Sequence, residues 1–384
     1  MRYDCSAETR SLYIHWPFCP YKCHFCPFVA IASQDRFMDR YHHALMKEML
    51  IYAAQLPSKQ ALDTVFLGGG TPSTWPDNLL LDTFDTLRKV FHLGEHTEIS
   101  IEVNPGTVRA EQLVLWKSIG INRLSIGVQS LKDSVLNNLN RKQSSADVFW
   151  VIEEASKNFA NISIDLILGL PGVSTQEWQE LLQKVVTWPI MHVSIYFLTV
   201  HEETPLFYRV KKNEISLTPD DAMVDLYQWS VDFLNGHGLH QYEISNFARE
   251  GYHSRHNSVY WDRKPYKGIG LGACSFDGKS RFQNQKQLMK YMNDIDSGTD
   301  VTVFSETLTG NQAYLERIML GLRRAQGLDM NDLMKDLTEA QQHAMKTSIG
   351  MLQEHNFLKN ENNRIILTAA GLAVQNDIAA RLSL

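Results

Sequence analysis

Between residue 11 and about residue 200, short apolar runs alternate with longer stretches of helical period. The runs at 11–16, 63–67, 97–103, 122–128, 162–168 and 192–198 read as strands, and the stretches at 35–54, 77–92, 109–119, 145–159 and 175–187 as helices. This alternation predicts an α/β fold with a parallel sheet and right-handed crossovers, the loops after the strands forming the chemical face. The strands are not the continuous apolar runs that burial on both faces would demand. Ser100, Glu102 and Asn104 alternate with Ile99, Ile101 and Val103. Ser125, Gly127 and Gln129 share one face, as do Ser163 and Asp165, and Tyr13 and His15. One sheet face is therefore aliphatic and suited to covering helices, while the other collects Tyr, His, Glu, Gln and Asp. Two arrangements fit: a half-solvated open sheet, or a curved, partly closed barrel with the polar face inside around a polar ligand.

Beyond residue 200 the pattern changes. A helix is expected at 218–235, then an irregular, aromatic-rich stretch to about 285. From 305 the order is helix (311–323), helix (329–336), helix (338–354), a turn at Lys359–Asn363, strand (364–367) and helix (369–382), which is the order of a winged helix. The expected units are a barrel over 1–200, a barrel extension over 201–300 and a winged-helix-like domain over 301–384. DNA binding is not expected of that last unit, because Arg323-Arg324 is a short basic patch and the 384-residue chain carries a net charge of −6. With 44% hydrophobic residues the chain can bury a substantial core, yet no run approaches the roughly 18 apolar residues of a membrane span. The start, Met1 to Arg10, is polar and charged, unlike a secretory signal. Five cysteines, three of them clustered, do not resemble a disulfide framework, so a reducing, cytoplasmic setting is expected.

The clustered cysteines are Cys19, Cys23 and Cys26, spaced by three residues and then two. Three thiolates on one loop suit a cubane iron–sulfur cluster with one iron left open, since a closed cluster takes four cysteines. Structural zinc also wants four ligands, with His15 or His24 as the fourth, and spacing alone leaves both readings open. Gly68-Gly69-Gly70-Thr71-Pro72 follows a strand and fits neither the nucleotide P-loop nor the dinucleotide fingerprint. Its glycines would let backbone approach a ligand and offer N–H groups to a carboxylate, unless the segment is simply a tight turn. Glu102, ordinarily a solvated carboxylate, ends a strand on the polar face. His256, Asn257, Tyr260 and Trp261 bring imidazole, phenol and indole together. They could be ordinary packing or a haem site, where imidazole ligates iron and rings cover the macrocycle. His253 is close enough in sequence to serve instead, while His192, His201, His237 and His240 read as structural or solvated.

The cysteine motif, preceded by Tyr13, His15, Pro17 and Phe18, resembles the hallmark of the radical S-adenosylmethionine (SAM) enzymes. The similarity is to the branch that holds the oxygen-independent coproporphyrinogen III dehydrogenases and the HemW haem chaperones. It implies a partial (β/α)6 barrel in which Cys19, Cys23 and Cys26 bind a 4Fe-4S cluster whose open iron chelates SAM. By the same resemblance Gly69, Gly70 and Thr71 bind the amino-acid part of SAM and Glu102 pairs its ammonium. Gln129, Arg141 and Asp165 would contact its sugar, carboxylate and polar rim, Tyr13 and Phe25 would flank cluster and adenine, and Thr199 is a weaker match. The segment from His256 to Trp261 looks like the haem-chaperone motif that the dehydrogenases lack, and Phe28 stands where they carry an extra cysteine. One departure is Cys274, in a glycine-rich segment where histidine is usual: it could ligate haem or be a small buried substitute. The resemblance implies a haem chaperone that passes haem to an apo-haem acceptor, with monomer and homodimer both open. Rival readings are a coproporphyrinogen III dehydrogenase, and a radical SAM methyltransferase or haem-degrading enzyme.

Overall fold

The computed structural model describes residues 3–5 and 8–383; residues 1, 2, 6 and 7 of the polar start lie outside that range. Strand β1 (Ser11–Trp16) is followed by β2 (Phe18–Cys19) and β3 (Ile31–Ala32), a two-residue parallel pair that closes the base of the cysteine loop. Beside β1 lie β4 (Ala61–Gly69), β5 (His92–Val103), β6 (Arg123–Gln129), β7 (Asn161–Leu168) and β8 (His192–Phe197), all parallel and in chain order. Helices α1 (Met38–Gln55), α2 (Asp77–Val90), α3 (Ala110–Ser118), α4 (Asp133–Asn138), α5 (Ser145–Ser156) and α6 (Thr175–Val185) fill the crossovers. Ser144 and Ser174 start α5 and α6 with capping boxes that satisfy N–H groups the helices leave free. On the outer face Ile14, Val65, Ile101, Leu124, Ile164 and Val193 are completely buried in the core that these helices complete. The polar positions face inward, and register places Glu102 beside Ser125, Ser125 beside Ser163, and Ser163 beside His192. Of the two arrangements the pattern allowed, the partial barrel is the one that forms.

The stretch expected to be irregular is largely ordered. After α7 (Pro205–Lys211) and α8 (Asp220–Gly236) come β9 (His240–Glu243) and β10 (Asn246–Ala248), which extend the sheet antiparallel beyond β8. Helix α9 (Arg255–Trp261) then crosses to β11 (Lys267–Ile269), which pairs parallel with β1 at the opposite edge. Strands β12 (Cys274–Phe276), β13 (Ser280–Asn284) and β14 (Thr302–Thr307) form a separate sheet, with α10 (Leu288–Ser297) between the last two. Strands of three to five residues show too few periods for their alternation to be read. The remainder comprises α11 (Gly310–Leu322), β15 (Leu328–Asp329), α12 (Met330–Met334), α13 (Glu339–Glu354), β16 (Leu358–Glu361), β17 (Arg364–Leu367), α14 (Ala369–Ala373) and α15 (Gln375–Leu382). It buries its own core around Ile318, Met345 and Ile365. The turn is narrower than expected, because Asn362 and Asn363, both at positive φ, close a hairpin whose first strand takes up Lys359–Glu361. The single helix expected at 369–382 is broken at Val374.

A buried carboxylate ties the two ends of the barrel chain together. Glu48, on α1, accepts hydrogen bonds from Gly270 N (2.8 Å), the Tyr291 hydroxyl (2.6 Å) and Asn284 Nδ2 (2.7 Å). Burial pushes its pKa up, against the opposing pull of Lys267 and these donors. Gly270 sits at φ +108, and a side chain there would meet the Tyr41 hydroxyl at 2.6 Å, so only glycine fits. Glu48→Ala would strand three donors in the interior and is expected to cost about 3–5 kcal/mol in equilibrium urea unfolding. An unchanged midpoint would show that the network does not hold the fold.

Candidate functional site

The cysteine loop leaves β1 and is pinned on three sides. Ile31 N donates to Pro17 O (2.7 Å), His24 N to Leu139 O (2.9 Å), and Leu206 N to His24 O (3.0 Å). Cys19 and Cys23 are buried and Cys26 is half-buried; all three line one cavity of about 430 Å³ at the C-terminal mouth of the barrel. Thr71 Oγ1 donates to Cys19 Sγ (3.2 Å) and Arg141 Nη1 to Cys23 Sγ (3.8 Å). Burial raises the Cys19 thiol to about 11 and also raises Cys26. These thiols therefore keep their protons until a metal displaces them. Among the described residues no three His, Cys, Asp or Glu side chains converge closely enough to hold a single ion. Three thiols around one cavity, with donors aimed at two of their sulfurs, suit a wider polynuclear group.

His15, one fourth ligand considered for zinc, is turned away. Its Nε2 faces the Val29 carbonyl at 2.8 Å and therefore carries the proton, leaving Nδ1 to accept from the Tyr13 hydroxyl at 3.0 Å. Burial lowers its pKa to about 4, so the ring is neutral.

Phe25, Gly69, Gly70, Thr71, Glu102, Gln129, Arg141 and Asp165 line the same cavity as the cysteines. The glycine segment works differently from the sequence expectation. Gly69 N donates to Glu102 Oε2 (2.9 Å), Gly70 N to Trp16 O (2.7 Å) and Thr71 N to Phe18 O (2.9 Å), so none of these donors is free for a ligand carboxylate. The glycines instead allow close packing, for a side chain on Gly70 would lie 2.5 Å from Pro17 O. Glu102 is raised to about 7, first by burial and then by Asp165, with the Gly69 N–H opposing. Asp165 is also raised by burial, and its Oδ2 accepts from Ser125 Oγ at 3.0 Å. Gln129 ends β6 at φ +65, a left-handed conformation costly for a residue other than glycine. Arg141 Nη2 donates to Gly127 O (2.9 Å) and Nε to Gln143 Oε1 (2.8 Å). Tyr21, Asn104, Tyr196 and Thr199 also face the cavity, with the solvated His201. Asn104 is the informative omission: it is buried, its Nδ2 donates to the Tyr21 hydroxyl (2.9 Å), and its Oδ1 has no partner. Its place two residues after Glu102 on an alternating strand was the available signal.

The aromatic segment is only partly brought together: His256, Asn257 and Tyr260 line one small cavity, and Trp261 does not. Buried His256 occupies the barrel floor, stacked on Phe66 (5.1 Å), with Nδ1 bonded to Thr64 Oγ1 (2.8 Å) and Nε2 to the Tyr260 hydroxyl (2.9 Å). Glu98 holds that end of α9 by accepting from His256 N and Arg255 N. The Thr64 and Tyr260 hydroxyls occupy both ring nitrogens, so His256 has no free nitrogen to offer an iron atom here; burial lowers its pKa to about 3 and keeps the ring neutral. Trp261 turns toward the C-terminal module, where the Arg323 guanidinium lies 5.8 Å from its ring. Tyr260 and Tyr13 face a second cavity, which also contains Cys274. His253 is exposed and stacks on Tyr242.

Residues 13–185 match the radical SAM superfamily and residues 308–374 the HemN C-terminal domain. The chain is 32% identical to the heme chaperone HemW of Bacillus subtilis, over 96% of this chain and 98% of that protein. It is 35% identical to the mitochondrial radical S-adenosyl methionine domain-containing protein 1 of Mus musculus, over 70% of this chain and 61% of that one. In fold it is similar to the coproporphyrinogen III oxidase HemN of Escherichia coli, a radical SAM enzyme, with a TM-score of 0.84 and 24% identity over 98% of this chain and 90% of that one.

Each of Cys19→Ala, Cys23→Ala and Cys26→Ala should abolish most of the iron and the charge-transfer absorption of anaerobically reconstituted protein. Stoichiometric zinc without iron in the wild type would reject the cluster assignment.

Proposed function

The chain belongs to the radical SAM superfamily and, within it, to the HemW group, and on that premise we propose that it is a haem chaperone. It binds a 4Fe-4S cluster, SAM and haem, and passes haem to an acceptor haem protein. The observation that carries this reading is the extent of the match to a heme chaperone, which runs over almost the whole of both chains rather than the cluster-binding half alone. The likeness to HemN supports a shared fold only, and Phe28 stands where the dehydrogenases are expected to carry a further cysteine.

The cavity suits the cofactors chemically. Three thiols hold the cluster, and Thr71 and Arg141 donate to two of their sulfurs. When bound, cluster and SAM supply the potential for one-electron chemistry. On this reading Asn104 Oδ1 and the Glu102 carboxylate accept from the SAM ammonium, Asp165 meets sugar hydroxyls, and Gln129 lines the rim. No helix among the described residues is long and apolar enough to cross a membrane. All five cysteines are free thiols, which suits a reducing, cytoplasmic setting.

Two measurements test the reading. Anaerobically reconstituted protein should bind haem stably, yet leave coproporphyrinogen undecarboxylated when given SAM and a reductant; the reverse result would replace the chaperone reading by the dehydrogenase one. The second concerns Glu102, raised from 4.5 to about 7 in the folded protein. Its protonated form stabilises the fold at low pH, and that contribution is lost as pH rises from 4.5 through about 7. SAM needs the ionised form, so its affinity in calorimetry should rise across the same interval, with proton uptake by buffer. Glu102→Gln should flatten that dependence and weaken SAM roughly ten- to a hundredfold, the loss of a charge-assisted hydrogen bond. A pH-independent wild-type affinity would remove Glu102 from the SAM contact.

A further inference from the structure

The small cavity at the barrel floor has a volume of about 210 Å³ and, apart from Phe66, is lined by polar side chains. Glu102, Ser125, Asp165 and Tyr196 line both this space and the cluster cavity, so they form a partition between the two. Behind the partition lie Arg123, Ser163, His192 and Asn257, none of which belongs to the cluster cavity.

Arg123 is the unusual member. It opens β6 two residues before Ser125, on the same inward face, and pairs in register with Asn161 of β7. It is only 2% exposed. Both of its side-chain hydrogen bonds come from Nη1, to Asn161 Oδ1 (2.7 Å) and Tyr252 O (3.4 Å). Among the described residues Nε and Nη2 make none, and no ion pair holds the guanidinium. Asp165 feels its charge, but that carboxylate is already bonded to Ser125 and Ser194. Glu102, on the partition, is held by Gly69 N. The remaining groups bring no countercharge. Burial and Arg123 keep His192 neutral, burial keeps His256 neutral, and the buried Tyr13, Tyr196 and Tyr260 keep their hydroxyl protons. A guanidinium withdrawn from water without a partner is costly. Asn257 is a second open donor: its backbone N–H caps α9 on Ser254 Oγ (3.2 Å), while its side-chain amide lines the cavity without a hydrogen bond.

We propose that the floor cavity is a binding site for a small carboxylate, held by the Nε–Nη2 edge of Arg123 and the amide of Asn257. That edge offers two parallel N–H groups at the spacing of a carboxylate's oxygens. The space is about half that of the cluster cavity, so it takes a molecule the size of acetate or pyruvate and not a tetrapyrrole. The cluster cavity, on the other side of the partition, gives a way in from the barrel mouth. The inference stands apart from the haem-chaperone reading, since it concerns neither the thiols nor haem.

The test is calorimetric and ligand-detected NMR titration of the reconstituted, full-length protein, without haem or SAM, in chloride-free buffer. Acetate and pyruvate should bind saturably with a Kd of about 1 mM or tighter, while acetamide, the neutral analogue of acetate, should not bind. Arg123→Lys keeps the charge but loses the two-pronged edge, and should weaken acetate about tenfold or more. Asn257→Ala should weaken it by a smaller factor, with cluster iron and haem binding unchanged. Should Arg123→Lys fail to fold, the acetate–acetamide comparison and Asn257→Ala decide the matter. Absence of saturable carboxylate binding in the wild type, wild-type affinity in both variants, or chloride binding as tightly as acetate would each overturn the proposal, and none of these results bears on whether the protein carries haem.

Discussion

A curved sheet with a polar inner face carries one constraint that governs this molecule: every polar group it turns inward must find a partner in a space that water scarcely enters. The constraint is met differently at each level of the barrel. At the floor, α9 closes the opening: His256 pairs with Thr64 and Tyr260, and the N–H groups of Arg255 and His256 donate to Glu98. In the middle, Ser125 serves Asp165, and Ser163 and Tyr242 serve His192. At the C-terminal mouth the pairing is incomplete. Glu102 is held by one backbone donor and its pKa is raised to about 7, and Asn104 Oδ1 has no partner. Glu102 and Asn104 lie in the cavity that the three thiols line.

The same economy explains why the glycine segments are so densely placed. The turn after β4 and the loop after β11 both press backbone against β1 and the residues that follow it, the first against Pro17 and the second against His15 and Tyr41. Side chains would hold these strands apart and open the base of the cysteine loop. Glu48 then fastens the second loop to α1 from the far side. Phe28 lies at the boundary of the cluster cavity and the one that contains Cys274, and the residue type at that position decides whether the cavities meet across an apolar ring or a thiol.

The sequence by itself determined the strand–helix order, the inward polar face, and the gathering of three cysteines on one loop. Those properties are periodic or local: alternation along a strand assigns a face, and three cysteines within eight residues share a loop in any fold. Tertiary structure alone decided the rest. That β11 pairs with β1, and β10 with β8, depends on contacts across more than fifty residues, which three-residue strands do not signal. Nothing local in the segment from His256 to Trp261 tells that its imidazole faces the barrel floor and its indole the C-terminal module, since seven residues of helix point side chains in every direction. Nor could composition reveal that the N–H groups of Gly69, Gly70 and Thr71 are already taken, or that a glutamate on α1 anchors a loop 222 residues away. Hydrogen-bond partners in a buried, low-dielectric interior are chosen by proximity in space, and a chain read in order carries periodicity but not proximity.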